Sequence, residues 1–238
     1  MFSGDIEISI NDSNITYMIP VLTLDGPSGV GKGSVASIIA QTLDWHLLDS
    51  GAIYRAFAIA VRNRKIKIND IDGLLRLAGE LDLRFELVPD LHLLKVYLDN
   101  IDISSELRTE KTADLASNLA MIGPLRKSLL IKQQQFKRLP GLVADGRDMG
   151  TVVFPDAPFK VFLTAEVEER AKRRLKQLQE TGIAGNISHT LEEVQKRDER
   201  DANRQHSPLR PARDALVIDT TNLSINEVIT KVMALIKA

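Results

Sequence analysis

The sequence predicts an α/β protein in which helices cover both faces of a central parallel sheet of five short strands. Short apolar runs alternate along the chain with longer segments whose apolar residues recur at helical spacing. The short runs are apolar throughout, which is typical of parallel strands buried on both faces. A glycine-rich turn at 26–34 directly follows the first of these strands, at 21–25, and makes the prediction more specific.

The glycine-rich turn has the composition of a loop that binds phosphate. Glycines allow successive backbone N–H groups to point at one anion, and the following helix offers its N-terminus to the same anion. Lys32 places a cation on the phosphates, and a hydroxyl can reach Mg²⁺. Because Gly33 stands directly after the lysine, Ser34 has to supply that hydroxyl. The predicted loop consists of Gly26, Pro27, Ser28, Gly29, Val30, Gly31, Lys32, Gly33 and Ser34.

The other elements of the core follow from periodicity and from turn residues. Ser50 is predicted to cap the helix after the second strand. The predicted strands are 21–25, 46–49, 142–144, 160–163 and 215–218. The predicted helices follow the loop to about 43 and then cover about 50–64, 71–80, 110–122, 125–139, 167–180, 190–204 and 225–236.

Residues 69–105 have a different sequence pattern from the alternating strands and helices of the core, and they are predicted to be an inserted domain. Two apolar runs, 83–87 and 93–98, flank Pro89-Asp90 and are typical of a β-hairpin in a small antiparallel sheet. The core then comprises 18–68 and 106–238, with a short lid at about 168–190. Residues 1–17 are polar and mixed, and are predicted to be an N-terminal extension with a short strand at 5–10. Met18 is a second candidate start.

Composition excludes several kinds of function. The chain has 238 residues, a formal net charge of −1 and no cysteine. Disulfides, thiol catalysis and cysteine-based metal sites are therefore excluded. A net charge near zero provides no general attraction to nucleic acid or to an anionic membrane. No apolar run approaches the length of a membrane span. We expect a cytoplasmic protein without a nucleic-acid or membrane partner.

Charged and polar residues follow the predicted strands. Ligands of an open parallel sheet bind outside the carboxyl ends of its strands, so these segments should face one cleft. Residues 49–55 follow the second strand, residues 145–150 the third, and a helix with Arg170, Arg173 and Arg174 the fourth. Arginine does not titrate and binds phosphate oxygens through a planar fork, which suits a site for two phosphorylated ligands.

Arg197, Asp201 and Arg204 are spaced i, i+4 and i+7, on one face of a predicted helix. Two interpretations stay open: the arginines grip a phosphate beside a sugar hydroxyl, or the helix is a solvated face with salt bridges. The nearby phosphate loop favours the first interpretation. An acceptor that is itself a phosphate is anionic and needs no general base, which agrees with histidines that form no Ser/His/Asp arrangement.

Three motifs together resemble the bacterial cytidylate kinases. The loop has the Gly-Lys-Gly-Ser form of nucleoside monophosphate kinases; Leu-Leu-Asp-Ser-Gly-Ala-Ile-Tyr-Arg follows at 47–55, and Ala-Asp-Gly-Arg-Asp-Met-Gly-Thr-Val-Val-Phe-Pro at 144–155. The resemblance covers about 20–237. It implies a P-loop three-layer fold with an inserted nucleotide-monophosphate domain and a short lid. It also implies phosphorylation of CMP and dCMP to CDP and dCDP with ATP and Mg²⁺.

The same resemblance implies a role for each matching residue. The reacting phosphates would be contacted by Lys32, Arg147, Arg197 and Arg204. The lid over ATP would contain Arg170 and Arg174, and the metal would be ordered with help from Ser34.

On the acceptor side, the monophosphate would be clamped by Arg55, Arg147 and Arg204. The cytosine would be read by Ser117, Arg126 and Asp148. The ribose and the transferring phosphate would lie near Arg197 and Asp201, and the pocket would be lined by Ser50, Gly51 and Tyr54.

Alternatives remain inside and outside this family. AMP, GMP, UMP or a metabolite hydroxyl could be the acceptor, and a hydroxyl would need Asp49 or Asp148 as a base. A GTPase-type switch or an RNA-handling protein is disfavoured, because the sequence has neither a guanine-reading Asn-Lys-x-Asp stretch nor a basic face. We expect a monomer whose partners are small nucleotides.

Overall fold

The computed structural model of the chain describes residues 8–11, 14–88, 93–180, 185–204 and 207–237. Its strands are β1 Ile8–Asn11, β2 Asn14–Tyr17, β3 Val21–Asp25, β4 His46–Asp49, β5 Leu83–Val88, β6 Leu93–Leu98, β7 Ile101–Asp102, β8 Leu142–Gly146, β9 Phe159–Thr164 and β10 Leu216–Asp219. Its α-helices are α1 Lys32–Leu43, α2 Ser50–Asn63, α3 Ile71–Glu80, α4 Glu110–Leu119, α5 Gly123–Gln134, α6 Val167–Glu180, α7 Ile187–Ala202 and α8 Ile225–Lys237. A 3₁₀ turn, Glu106–Arg108, precedes α4, and a π-helical turn, Met149–Val153, follows β8.

The central sheet has five parallel strands in the order β10-β9-β3-β8-β4, which confirms the predicted fold class. All five strands run in the same direction, so their carboxyl ends share one edge of the sheet. Asp25 at the end of β3 lies beside Gly146 of β8, and Asp49 at the end of β4 lies beside Asp145. The loops that follow these strands therefore begin next to one another.

Two hydrophobic cores form, one on each face of the sheet. Successive side chains of a strand point to opposite faces, and β3 shows this alternation. Val21 packs in a cluster with Phe57 of α2, whereas Leu22 and Leu24 pack in a second cluster with Ile39 of α1. All five side chains are nearly inaccessible to solvent. Burial on both faces explains why the strand is apolar throughout.

The small antiparallel sheet has the order β5-β6-β7. Pairing of β5 with β6 confirms the predicted hairpin, although the Pro89-Asp90 turn lies outside the described residues. The third strand was not predicted because it has two residues. Its signal is the pair Asp99 and Asn100, whose φ angles of 49° and 65° suit a tight hairpin turn. The bounds of the insertion, 69–105, stay a prediction.

The N-terminal segment contains two strands where the sequence predicted one. β1 and β2 pair antiparallel, and residues 5–7 of the predicted strand lie outside the described part of the chain. The signal that was missed is the alternation of Ile-Ser-Ile and Ile-Thr-Tyr on either side of a polar Asn-Asp-Ser-Asn turn.

Several helix ends differ from the prediction, and two of these differences concern residues of the predicted site. Asp49 caps α2 instead of Ser50, because its extended backbone lets Oδ1 accept from the Ala52 N–H at 2.8 Å. α7 ends at Ala202, since the chain turns back there and the Leu209 N–H donates to the Asp201 carbonyl. Arg204 thus lies beyond the helix. Within the described ranges, none of the helices is both long and apolar enough to cross a bilayer.

Gly141 lies directly before β8, and a methyl group there would collide with a neighbouring ring. An added Cβ would lie 2.5 Å from the indole of Trp45, whereas a Cβ at Gly79 in α3 would meet no atom within 4 Å. We expect Gly141→Ala to lower the free energy of unfolding by about 1–3 kcal/mol through overpacking. The matched variant Gly79→Ala should raise it by about 0.5–1 kcal/mol, because alanine is the better helix former. Urea denaturation of both variants checks this; equal effects would contradict the contact.

Candidate active site

The phosphate loop between β3 and α1 depends on three glycines with left-handed or otherwise restricted backbone. Gly26, Gly29 and Gly31 have φ angles of 148°, 81° and 94°. A Cβ at Gly26 would lie 2.2 Å from the Leu163 carbonyl oxygen, so only glycine lets the loop pass β9 this closely. Gly31 caps α1 without any side-chain hydrogen bond. The first N–H groups of α1 are therefore open to an anion.

Lys32 is the first residue of α1 and is 6 % exposed. Its Nζ donates to the Pro27 carbonyl at 2.9 Å and lies 4.0 Å from Oδ1 of Asp145. Burial and the cation Arg147 together lower the pKa of Lys32 to about 7, although Asp145 acts in the opposite direction. A polyphosphate bound in the loop would place negative charge beside Lys32 and would therefore stabilise the charged ammonium form of its side chain.

The residues near Lys32 fit a Mg²⁺ ion that is carried mainly by phosphates and water. A Cβ at Gly33 would lie 3.6 Å from Oδ2 of Asp145, so that carboxylate faces the start of α1. Ser34 is exposed one residue further on. No group of three or more His, Asp or Glu side chains in the described part of the chain could hold a metal by itself. Mg²⁺ retains several waters and takes few protein ligands, which agrees with this small donor set.

Arg170 of α6 supports the phosphate loop from beneath. Its side chain is nearly fully buried, donates to the carbonyls of Ala165 and Ser28, and pairs with Asp198 at 2.6 Å. A Cβ at Gly29 would lie 3.0 Å from the Arg170 carbonyl oxygen. Thr220, after β10, adds a hydrogen bond from Oγ1 to the Val30 carbonyl at 3.3 Å. Arg170 is thus a buried contact of the phosphate loop, and its place in a lid over ATP stays a prediction.

Arg174, one turn further along α6, is held by α4. It pairs with Glu110 at 2.8 Å, and Arg200 of α7 lies 3.7 Å from Asp114 of α4 in the same way. The two helices that follow β9 are therefore joined to α4 by ion pairs. In this arrangement the Arg174 guanidinium contacts Glu110 and, among the described residues, does not bond to the phosphate loop.

Arg147 and Arg204 meet at one carboxylate, Asp201. Arg147 Nε donates to Asp201 Oδ2 at 2.8 Å, and Arg204 Nη2 donates to Oδ1. Asp201 is 1 % exposed. Burial raises the pKa of this carboxyl, but the two guanidinium groups outweigh burial and lower it on balance. Asp201 also raises the pKa of Arg147, although burial acts against it. The three residues form a charged group with a net charge of +1.

Arg197 lies on α7 one turn before this group and makes no hydrogen bond or ion pair with any described residue. Burial and the positive charges of Arg147 and Arg55 together lower the pKa of Arg197 to about 10. A half-buried guanidinium beside other cations is an electrostatic cost for the protein alone. An anion placed among these arginines would remove that cost.

A second charged pair, Arg126 and Asp148, lies beside this cluster. Arg126 Nη2 donates to Asp148 Oδ2 at 2.5 Å, and both side chains are about nine-tenths buried. The guanidinium carbon of Arg126 lies 5.7 Å from the ring centroid of Tyr54, whose pKa burial raises to about 12. Ser117 of α4 is half-buried, and no hydrogen bond joins it to this pair. The structure thus brings Tyr54, Arg126 and Asp148 together but gives Ser117 no contact with them.

The start of α2 presents Arg55 beside Gly51. Arg55 Nη2 donates to Asp49 Oδ2 at 3.1 Å, and a Cβ at Gly51 would lie 3.1 Å from Asp49 and 3.3 Å from Arg55. The glycine leaves room for this ion pair. The Ser50 hydroxyl is buried and donates to Oε1 of Gln133 in α5 at 2.7 Å. Its role is therefore a contact between helices in this arrangement.

Asp25 is a residue of this region that the sequence analysis did not single out. It ends β3, is 4 % exposed, and accepts from the backbone N–H groups of Met149 and Gly150, both at 2.8 Å. Burial raises the pKa of Asp25 to about 7, against the two backbone hydrogen bonds. The sequence feature that could have indicated Asp25 is its position: it is the one charged residue of the strand Val21–Asp25 and stands directly before the phosphate loop.

Comparison with known proteins now decides the family. The model of the family described as cytidylate kinase matches residues 22–238, nearly the whole chain. The chain belongs to the cytidylate kinase family. The resemblance predicted from the three motifs, and with it the prediction of a nucleotide kinase, is confirmed.

Curated cytidylate kinases agree with this result. The cytidylate kinases of Salmonella paratyphi A and of Escherichia coli (strain K12 / DH10B) are each 51 % identical to this chain over 219 residues, which is 92 % of this chain and 96 % of the relative. Solved structures of other kinases are more distant. A gluconokinase from Sinorhizobium meliloti has a TM-score of 0.41 at 15 % identity, covering 92 % of this chain and 91 % of its own.

The lowered pKa of Lys32 leads to a prediction about proton uptake. Because burial lowers the pKa of Lys32, part of the protein carries a neutral Lys32 amine at pH 8, and the negative charge of bound ATP should raise that pKa again. ATP binding at pH 8 should therefore take up protons. Calorimetry in buffers of different ionisation enthalpy measures this uptake. It should disappear in Lys32→Met, and its absence from the unmodified protein would contradict the lowered pKa.

Proposed function

We propose that this chain transfers the γ-phosphoryl group of ATP to CMP and dCMP and releases CDP or dCDP and ADP. The observation that carries the proposal is Arg197, a half-buried guanidinium whose pKa is lowered by burial and by neighbouring arginines and which has no counter-ion among the described residues. A cluster of arginines such as Arg197, Arg147 and Arg55, close to a phosphate loop, suits an anionic acceptor. The family to which the chain belongs supports cytidylate as that acceptor.

The donor side is the phosphate loop with Lys32. Backbone N–H groups from Gly29 to Ser34 would bind the β- and γ-phosphates, and the ammonium group of Lys32 would neutralise charge that develops between them. We propose that Ser34 and the carboxylate of Asp145 hold the waters of Mg²⁺. When bound, Mg²⁺ supplies positive charge to the phosphate oxygens and helps to align the transfer.

The acceptor phosphate would lie among Arg55, Arg147, Arg197 and Arg204. Three of these arginines are fixed by carboxylates: Arg55 by Asp49, and Arg147 and Arg204 by Asp201. Fixed donors need little reorganisation when charge moves, so they stabilise the transition state efficiently. Asp201 retains acceptor capacity and suits a ribose hydroxyl. Because the attacking oxygen belongs to a phosphate, no general base is required.

The pair Arg126 and Asp148 matches the polar groups of cytosine. Asp148 can accept from the exocyclic amine, and Arg126 can donate to the ring nitrogen and the carbonyl oxygen. Uracil has a carbonyl oxygen in place of that amine, so it would place an acceptor against a carboxylate. Tyr54 lies beside the pair and would pack against the base. We retain Ser117 as a base contact because its hydroxyl is free, but the described contacts give it no closer support.

We further propose that the chain acts as a monomer in the cytoplasm. A metabolite hydroxyl as acceptor is less well supported. It would require an available base, but Asp49 pairs with Arg55 and Asp148 pairs with Arg126.

The first functional prediction concerns the acceptor. With ATP as donor, CMP and dCMP should be better substrates than UMP, AMP and GMP by at least about tenfold in kcat/KM, because a wrong base leaves buried polar groups unpaired. ADP release in a coupled assay measures all five acceptors. If AMP or GMP were preferred, the proposed function would be wrong and the family assignment would remain.

A matched pair of variants tests the source of this preference. Asp148→Asn removes the carboxylate and should reduce the ratio of CMP to UMP activity by about tenfold or more. Asp114→Asn changes an exposed carboxylate of α4 that pairs with Arg200 of α7. This variant should leave the ratio unchanged. Equal ratios in the two variants would remove Asp148 from base recognition.

The second functional prediction concerns the phosphate clamp. Arginine groups that stabilise phosphoryl transfer contribute about 10³–10⁵ in rate. Lysine retains the charge but not the planar fork that bridges Asp201 and a phosphate. We expect Arg147→Lys and Arg204→Lys each to lose activity by about 10²-fold or more, measured as kcat at saturating ATP.

Arg62→Lys is the matched control for both variants. Arg62 also pairs with a carboxylate, Glu106, but both side chains are partly exposed on the other end of α2. Exposed ion pairs contribute about 0–1 kcal/mol, so activity should stay within about twofold. If kcat changed equally in all three variants, the proposed phosphate clamp would be wrong. If Arg204→Lys alone left kcat unchanged, Arg204 would be part of a salt-bridged surface instead of the clamp.

A further inference from the structure

Asp25 touches two parts of the site. It is the residue directly before Gly26 of the phosphate loop, and its carboxylate contacts the turn that follows Arg147 and Asp148. Oδ1 accepts from the Met149 N–H and Oδ2 from the Gly150 N–H, each at 2.8 Å. A buried carboxylate with both oxygens bound to backbone N–H groups fixes the turn more firmly than a neutral contact would.

We propose that Asp25 is a positioning residue that sets the geometry between the ATP side and the acceptor side. By holding the turn at 149–150 against the end of β3, it fixes the backbone from which Arg147 and Asp148 project. Because β3 also begins the phosphate loop, one side chain links the two halves of the reaction. This inference rests on the proposed function and adds a residue to that site.

The unusual turn after β8 explains why an acid is needed here. Gly146 is the last β8 residue paired with β3, and the chain then enters the π-helical turn Met149–Val153. The first N–H groups of a helical turn have no partners within it. An aspartate at the cap usually accepts from them, and Asp148 stands at that position. Asp148, however, makes no cap hydrogen bond, because its carboxylate pairs with Arg126.

Asp25 therefore takes the role of the cap from a neighbouring strand. Because Asp25 accepts these hydrogen bonds, the carboxylate of Asp148 stays available for Arg126 and for a nucleobase. Gly150 permits the close approach, since a Cβ there would lie 2.8 Å from Oγ1 of Thr23 on β3. A side chain at position 150 would push the turn away from Asp25.

Asp25→Asn tests the proposal with little change in size. Asparagine offers one acceptor oxygen, and its NH₂ group would face a backbone N–H group. The turn should loosen, so the KM for CMP should rise about tenfold and kcat should fall. The KM for ATP should stay within about twofold, because the phosphate loop has its own supports in Arg170 and Thr220. A purely structural defect would instead lower the active fraction and leave both KM values unchanged.

Asp219→Asn is the matched control. Asp219 also ends a parallel strand, β10, and its Oδ1 accepts from the Thr221 N–H at 2.9 Å, but it is exposed. Its kinetic constants should equal those of the unmodified enzyme. The proposal is overturned if Asp25→Asn changes both KM values equally, or neither. The acceptor panel is measured first, and the preferred monophosphate is used here, so a different acceptor would refute the proposed function without touching Asp25.

A measurement on the unmodified protein covers the case in which Asp25→Asn does not fold. Amide hydrogen exchange by NMR should show the Met149 and Gly150 N–H groups to be strongly protected before any nucleotide is added. The amide of Thr221, bound to an exposed carboxylate, should exchange at least about tenfold faster. If all three amides exchanged at similar rates, Asp25 would not fix the turn and the proposal would fail.

Discussion

Repulsion between arginines is the constraint on which the rest of the active site depends. Two anionic nucleotides require several guanidinium groups in one cleft, and those groups must stay together when no nucleotide is bound. Asp201 solves most of this problem, because one buried carboxylate accepts from both Arg147 and Arg204. Breaking such a buried pair leaves an uncompensated charge, which is far more costly than losing a surface pair. Arg197 is left without a carboxylate and is the member most dependent on a ligand.

The same carboxylates also explain the rigidity of the site and the mobility expected around it. Asp25, Asp148 and Asp201 are buried and hydrogen-bonded, so the parts that they hold lie at the carboxyl edge of the sheet. The contacts of α4 with α6 and α7 are of a different kind. They are partly exposed pairs, Arg174 with Glu110 and Arg200 with Asp114, each worth about 0–1 kcal/mol. Helices joined in this way can separate and rejoin at low cost, as an enzyme that admits two nucleotides requires.

Local features of this fold could be predicted from the sequence, and long-range ones could not. The phosphate loop and the strands at 21–25 and 46–49 are set by contiguous residues, and the sheet follows from the order of the strands. The partners of single side chains are set by packing. Ser50 was predicted to cap α2, whereas Asp49 does so and Ser50 bonds to Gln133, 83 residues away. The burial of Arg170 likewise follows from the close approach of α6 to the phosphate loop, which neighbouring residues in the sequence do not indicate.

Both edges of the central sheet are short, since β4 and β10 have four residues each. Residues of β5 from the small sheet lie against β4, where Leu87 packs with the core that contains Leu47. An uncovered strand edge carries free N–H and C=O groups that can template pairing with another chain. This chain offers little of that edge in its described residues. The inserted sheet thus has a second physical effect besides any contact with nucleotide: it leaves less of the β4 edge free to pair with another chain.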